Sequence, residues 1–188
     1  MSTPALNRVR EKIKAAFADV AHPAAGEIAC DCQSKSCEGL AMEVEFKPFS
    51  WQDVPGRVVD KFAQSLPIFT DQGYQYFLPA YMMRALEKPD GDVWEAVISG
   101  LPGGSPGLSL LPPDAMLPGL SSEFLKVTQL LEEHESERLD EFTGAQIEAM
   151  IEFVEYLIAY PSERTPDFIE ELFSRSESLA AYLRAHSG

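Results

Sequence analysis

The sequence predicts a mainly α domain of the α+β class: a helical bundle-like body with a small antiparallel β-hairpin near residues 27–47. Two observations predict the helices. Apolar residues recur at spacings of three and four in most segments, and caps or prolines stand at the segment boundaries. A third predicts the hairpin: Leu40, Met42, Val44 and Phe46 alternate with Ala41, Glu43, Glu45 and Lys47, the period of a strand buried on one face.

The first helix opens at Ser2-Thr3-Pro4, a cap followed by a proline whose missing N–H costs nothing in the first turn. Leu6, Val9, Ile13, Ala16, Phe17 and Val20 form its docking stripe, with Arg8, Glu11, Lys12 and Lys14 mostly outside it. Ala21-His22-Pro23 marks its end, because a residue before proline is pushed out of the helical region. Glu27 to Cys32 is the expected partner of the alternating strand, with polar residues 33–39 as the hairpin loop.

The middle is helical but punctuated. Trp51 to Gln64 places Val54, Val58, Val59 and Phe62 at helical spacing, with Pro55 in the first turn. Thr70 caps a run carrying Tyr74, Phe77, Leu78, Tyr81, Met82, Ala85 and Leu86, in which Pro79 predicts a kink or two short helices. Asp92 to Ser99 makes a further short helix. Residues 101–119 hold five prolines and four glycines, a composition without regular structure, and their interspersed leucines predict a loop tucked against a single domain spanning 1–188.

Beyond that loop, Ser121-Ser122 opens a helix through Leu131. Thr143 and Gln146 form a capping box, with Phe142 placed to staple onto Ile147. The helix that follows carries Ile147, Met150, Ile151, Val154, Leu157 and Ile158 on one face and stops before Pro161. Thr165-Pro166 starts a last helix reaching Leu183.

No stretch of about 18 apolar residues occurs, so no transmembrane helix is expected. The charged N-terminal segment lacks the apolar core of a signal peptide, and a cytoplasmic protein is expected. Thirty acids against fifteen bases leave a net charge of −15, which repels phosphate backbones and anionic lipid. Nucleic-acid and membrane binding are therefore not expected, and a basic protein is the natural partner.

The charge is unevenly placed. Residues 123–188 hold fifteen acids and five bases, while residues 1–122 hold fifteen and ten. Glu132, Glu133, Glu135, Glu137, Asp140 and Glu141 form a cluster opposed only by Arg138, and Glu148, Glu152 and Glu155 continue it along the capped helix. Like charges at those spacings cost a few tenths of a kcal/mol each, so their accumulation points to a use, such as meeting a basic nucleic-acid-binding cleft. The bland alternative is a solvated face.

Catalytic signals are sparse. His22, His134 and His186 are scattered, and no nucleophile elbow, zincin, P-loop or dinucleotide motif occurs. Gly100 to Ser105 resembles a phosphate loop but lacks the lysine. No cofactor is expected, and the chain is read as a binding protein and not an enzyme. Cys30, Cys32 and Cys37 are too few for a secreted disulfide framework, and reduced thiols are the expectation. Their C-x-C-x4-C spacing keeps open an alternative, a small enzyme or metal protein using these thiolates or paired carboxylates, with His22, Asp31 or water as the fourth zinc ligand. Trp51, Trp94, Tyr74, Tyr76, Phe77 and Tyr81 are read as core.

The order of landmarks adds to this reading. Ala16-Phe17, Cys37-Glu38, Trp51-Gln52-Asp53-Val54, Leu66-Pro67-Ile68-Phe69-Thr70, Tyr76 to Met82 and Phe142-Thr143-x-x-Gln146 through Tyr156 together resemble a small, largely helical bacterial family of unknown function, over about residues 13 to 160. The family supplies no catalytic residues. More narrowly, the chain looks like the immunity proteins that neutralise type VI secretion nuclease toxins. That resemblance implies a cytoplasmic antitoxin that binds one toxin and catalyses nothing. The stretch after Leu101 and the extension beyond Tyr160 depart from the family outline.

Overall fold

A computed structural model describes residues 3–29, 37–88, 92–102, 138–160, 177 and 179–185. The elements are α1 (Pro4–Ala16), α2 (Glu38–Phe46), α3 (Gly56–Lys61), a 3-10 turn (Leu66–Ile68), α4 (Asp71–Glu87), α5 (Asp92–Gly100) and α6 (Gly144–Ala159). Residues 138–140 and 179–185 are also helical. The architecture is that of a helical domain.

α4 is the central post. Tyr74, Phe77, Leu78, Ala80, Tyr81, Met82, Ala85 and Leu86 are all buried, so it is apolar around most of its circumference, as a helix enclosed by others must be. α5, α3 and the 3-10 turn pack on it, and α1 bridges it to α6, with which α1 makes the most extensive contact between two helices. One apolar cluster runs from Val9 on α1 to Leu183 near the C-terminus.

The caps fall where the sequence places them. Thr3 Oγ1 accepts the Leu6 N–H at 3.2 Å with Pro4 in the first turn, and Thr70 Oγ1 accepts the Gly73 N–H at 3.0 Å. At α6 both halves of the capping box form: the Gln146 N–H donates to Thr143 Oγ1 at 3.3 Å and the Thr143 N–H to Gln146 Oε1 at 2.9 Å. α4 runs through Pro79 as one helix, so the two-helix alternative does not occur.

The β-hairpin near 27–47 does not form; among the described residues the only strand-like pairing is one isolated antiparallel bridge, Ala29 with Phe69. Residues 38–46 are helical instead, and the reason lies in which apolar residues are buried. Gly39, Met42 and Phe46, spaced three and four apart, face the core, whereas Leu40 and Val44 stand 42% and 72% exposed. Every second residue is apolar, and in the helix these residues divide into two faces, Met42 and Phe46 packing inward and Leu40 and Val44 facing outward. Phe46 enters an aromatic cluster with Phe69 and Phe77 at centroid distances of 5.2 and 5.0 Å. Such burial outweighs the β preference of Val44 and Phe46.

The segment expected to pair with that strand crosses to the start of α4. The Thr70 N–H donates to the Ile28 carbonyl at 3.1 Å, and the Glu43 carboxylate of α2 accepts the N–H groups of Gly26 and Ile28 at 2.7 and 3.1 Å. The crossing is tight. A Cβ on Gly73 would lie 1.9 Å from the Ile28 carbonyl oxygen, so only glycine fits.

Two helices are shorter than the periodicity predicts. α1 stops at Ala16, and the carbonyl of the buried Phe17 beyond it accepts the Trp51 indole N–H at 3.2 Å. α3 begins only at Gly56, since Val54 precedes proline and Pro55 itself adopts the extended cap conformation. The Pro/Gly-rich loop at 101–119, the helix expected from Ser121 and the start at Thr165-Pro166 lie outside the described residues, apart from the buried Leu101 and Pro102.

Candidate functional site

Of the six acids proposed to meet a partner, Glu132, Glu133, Glu135 and Glu137 lie outside the described residues, and Asp140 and Glu141 lie within them. Both are exposed, and their position follows from their neighbours. Leu139 and Phe142 on either side are buried, with Phe142 edge-on to Tyr74 and Phe17 at 6.0 and 6.4 Å. The two apolar anchors leave the intervening acids at the surface. Gln75 Nε2 adds a hydrogen bond of 2.6 Å to the Glu141 carbonyl, fastening the end of the acidic run to the first turns of α4.

Arg138, the one base within that run, turns inward. Its guanidinium carbon sits 4.0 Å from the centre of the Tyr74 ring, and Nε reaches Asp71 Oδ1 at 3.5 Å as an ion pair without forming a hydrogen bond. Asp140 and Glu141 themselves stand exposed, outside that pair. Burial raises the Glu141 pKa, the charge of Asp71 raises it further, and Arg138 offsets only part.

The acids of α6 are arranged differently. Glu152 Oε1 takes Lys12 Nζ at 2.6 Å and Arg8 Nη2 at 3.0 Å, Glu148 takes Lys12 at 3.5 Å, and Glu155 pairs with Arg184. Burial raises the Glu152 pKa, but hydrogen bonds from Lys12 and Arg8 outweigh it and hold the carboxyl below its ordinary range. This face, expected to continue the acidic field, is spent on holding α1 and the C-terminal helix to α6. Periodicity showed which side of each helix is polar and could not show that the two polar sides meet.

Cys37 is disulfide-bonded, so its sulfur is not a thiolate available to zinc, and the expectation of a reduced thiol is corrected at this residue; Cys30 and Cys32 lie outside the described residues. Among the described residues no group of three His, Cys, Asp or Glu is placed to hold a metal. His22 is a structural residue: its ring nitrogens lie 2.7 and 3.2 Å from the carbonyls of Pro23 and Phe49, and its ring stacks obliquely on Tyr76 at 4.8 Å. His134 and His186 lie outside the described residues.

The aromatic side chains are core; Trp51, Tyr74 and Tyr81 turn their polar atoms to the backbone, whereas the buried Trp94 Nε1 has no hydrogen-bond partner among the described residues. Tyr74 and Tyr81 donate to the carbonyls of Gly100 and Phe62 at 2.7 and 2.9 Å. In the cleft of about 110 Å³ beside Trp51 and Gly56, the Arg84 guanidinium is held by Asp60 through two hydrogen bonds of 2.9 and 2.6 Å. That pair braces α3 against α4 and commits the guanidinium to the fold.

One surface feature escaped the sequence reading: the exposed pair Leu40 and Val44 on α2. The signal was present in their spacing of four, but it was absorbed by the alternation. No described helix is long and apolar enough to cross a membrane. No curated protein and no solved structure matches the chain. The model of a family of unknown function, DUF6714, matches residues 5–182, and the chain therefore belongs to that family.

Proposed function

We propose that the chain is an immunity protein: a non-catalytic antitoxin that binds and neutralises a cationic protein toxin, of the kind a type VI secretion nuclease represents. One observation carries this reading. Of the net charge of −15, −10 belongs to residues 123–188, and the lone base within the 132–141 run is drawn inward onto Tyr74 and Asp71. A nuclease must present a basic surface to phosphates, and an acidic protein complements that surface. The residues assigned to first encounter are Glu132, Glu133, Glu135, Glu137, Asp140 and Glu141. Exposed charges of this type set rate and specificity, while affinity comes from buried anchors. The sequence likeness to the immunity protein TsiT has no support in the comparisons and lends no weight.

The test is co-expression. Immunity genes sit beside the toxin they oppose, so the product of the adjacent reading frame is expressed in a heterologous host with and without this chain. Relief of its toxicity by the chain is expected; a harmless neighbour, or toxicity that the chain leaves unchanged, overturns the proposal.

A further inference from the structure

We infer that the outer face of α2 is the apolar anchor by which this chain grips a cationic protein partner, with Leu40 and Val44 as the inserted side chains. This rests on the reading of the chain as a binder of such a protein, and supplies the anchor that the acidic run lacks. Among the described residues only Leu40, Val44 and Tyr160 are large apolar side chains standing exposed, and two of the three are one helical turn apart on a single nine-residue helix. A helix that is apolar on both faces is ordinarily enclosed. The inner face of α2 is enclosed by the core; its outer face, with Ala41 also exposed, meets solvent.

The helix is held rigid for such a role. Cys37 at its N-cap is disulfide-bonded, Glu38 accepts a hydrogen bond from Ser65 Oγ, Glu43 ties down Gly26 and Ile28, and Phe46 is fixed in the aromatic cluster. Anchors on a preorganised element lose little entropy on binding. Charge decides the occupant. α2 carries Glu38, Glu43 and Glu45 and no base of its own; Lys61 meets Glu45 at 2.7 Å, which leaves Glu38 and Glu43 without an ion pair among the described residues, on a molecule of net charge −15. A second copy of the chain would set two such charges face to face, so the fitting occupant is a foreign protein with an apolar pocket rimmed by Lys and Arg.

Site-specific photocrosslinking tests this on the full chain. p-Benzoylphenylalanine is placed at position 44, at position 141 and at the exposed control position 88, and the chain is irradiated in its native host. Position 44 is expected to give an adduct with a cationic protein identified by mass spectrometry, the same one captured from position 141. The isolated protein should then bind the Leu40→Ala/Val44→Ala variant at least tenfold more weakly than the parent chain, with the thermal midpoint of the variant unchanged. A cationic adduct from 141 but none from 44, an adduct with another copy of this chain or with an acidic protein, or unaltered affinity of the double variant overturns the anchor while leaving the binding role standing. Adducts from neither position overturn both.

Discussion

Lys12 Nζ lies 2.6 Å from Glu152 Oε1, joining the first helix to the sixth across 140 residues of chain. Both side chains are largely withdrawn from solvent, at 31% and 17% exposure. Replacing Lys12 by Met should cost about 1 kcal/mol at neutral pH, the upper range for a partly exposed pair. The sign with pH follows from the lowered pKa of Glu152. Its contribution is present above the ordinary carboxylate range and is lost as pH falls through the depressed folded value. Urea unfolding of parent and variant should thus diverge at pH 7 and converge in acid; a gap that stays constant with pH would contradict the pairing.

The capping box at α6 makes a second prediction. Thr143→Ala removes the acceptor of the Gln146 N–H and should destabilise the fold by about 1 kcal/mol, while Thr143→Ser should retain most of the stability. Equal urea midpoints for the parent chain and the Thr143→Ala variant would show that the box is not stabilising.

Gly73 and Gly144 form a contrasting pair. A Cβ at Gly73 collides with the Ile28 carbonyl, so Gly73→Ala should cost about 3 kcal/mol, at the upper end for overpacking. A Cβ at Gly144 meets nothing within 4 Å and the residue is helical, so Gly144→Ala should be neutral or gain up to about 1 kcal/mol. Thermal unfolding of the two variants reads the difference directly, and a Gly73→Ala chain as stable as its parent would refute the crossing of residues 26–29 over α4.

What the sequence made legible is local. The caps at Thr3, Thr70 and Thr143, the stripe of Val9, Ile13 and Phe17, and the short helix from Asp92 all depend on neighbours in the chain, and all formed. What it concealed depends on distant residues. Residues 40–47 satisfy both a period of two and a helical period, and only the aromatic pocket built by Phe69, Phe77 and Tyr81 selects the helix. The candidate site divides in the same way. Its acids could be counted, but the withdrawal of Glu148, Glu152 and Glu155 into pairs with Lys12, Arg8 and Arg184 is a property of helix packing.

That division sharpens the prediction for the acidic run. Reversing Glu133, Glu137 and Glu141 to Lys should slow association with the toxin severalfold and flatten its dependence on salt, because long-range attraction acts on the encounter. Reversing Glu152 should instead lower stability and leave the association rate nearly intact, since its charge is already met by Lys12 and Arg8. Stopped-flow association at low ionic strength separates the two, and identical rates for the triple variant and the parent would remove the 132–141 segment from the interface.

The most direct measurement is the association rate of the purified chain with the purified toxin from the adjacent reading frame, followed across ionic strengths around the physiological value of about 0.15 M. A stable complex forming rapidly at low salt, with a rate that falls steeply as salt is added, is the result predicted for an acidic antitoxin meeting a cationic protein. No complex, or a rate indifferent to salt, would contradict it.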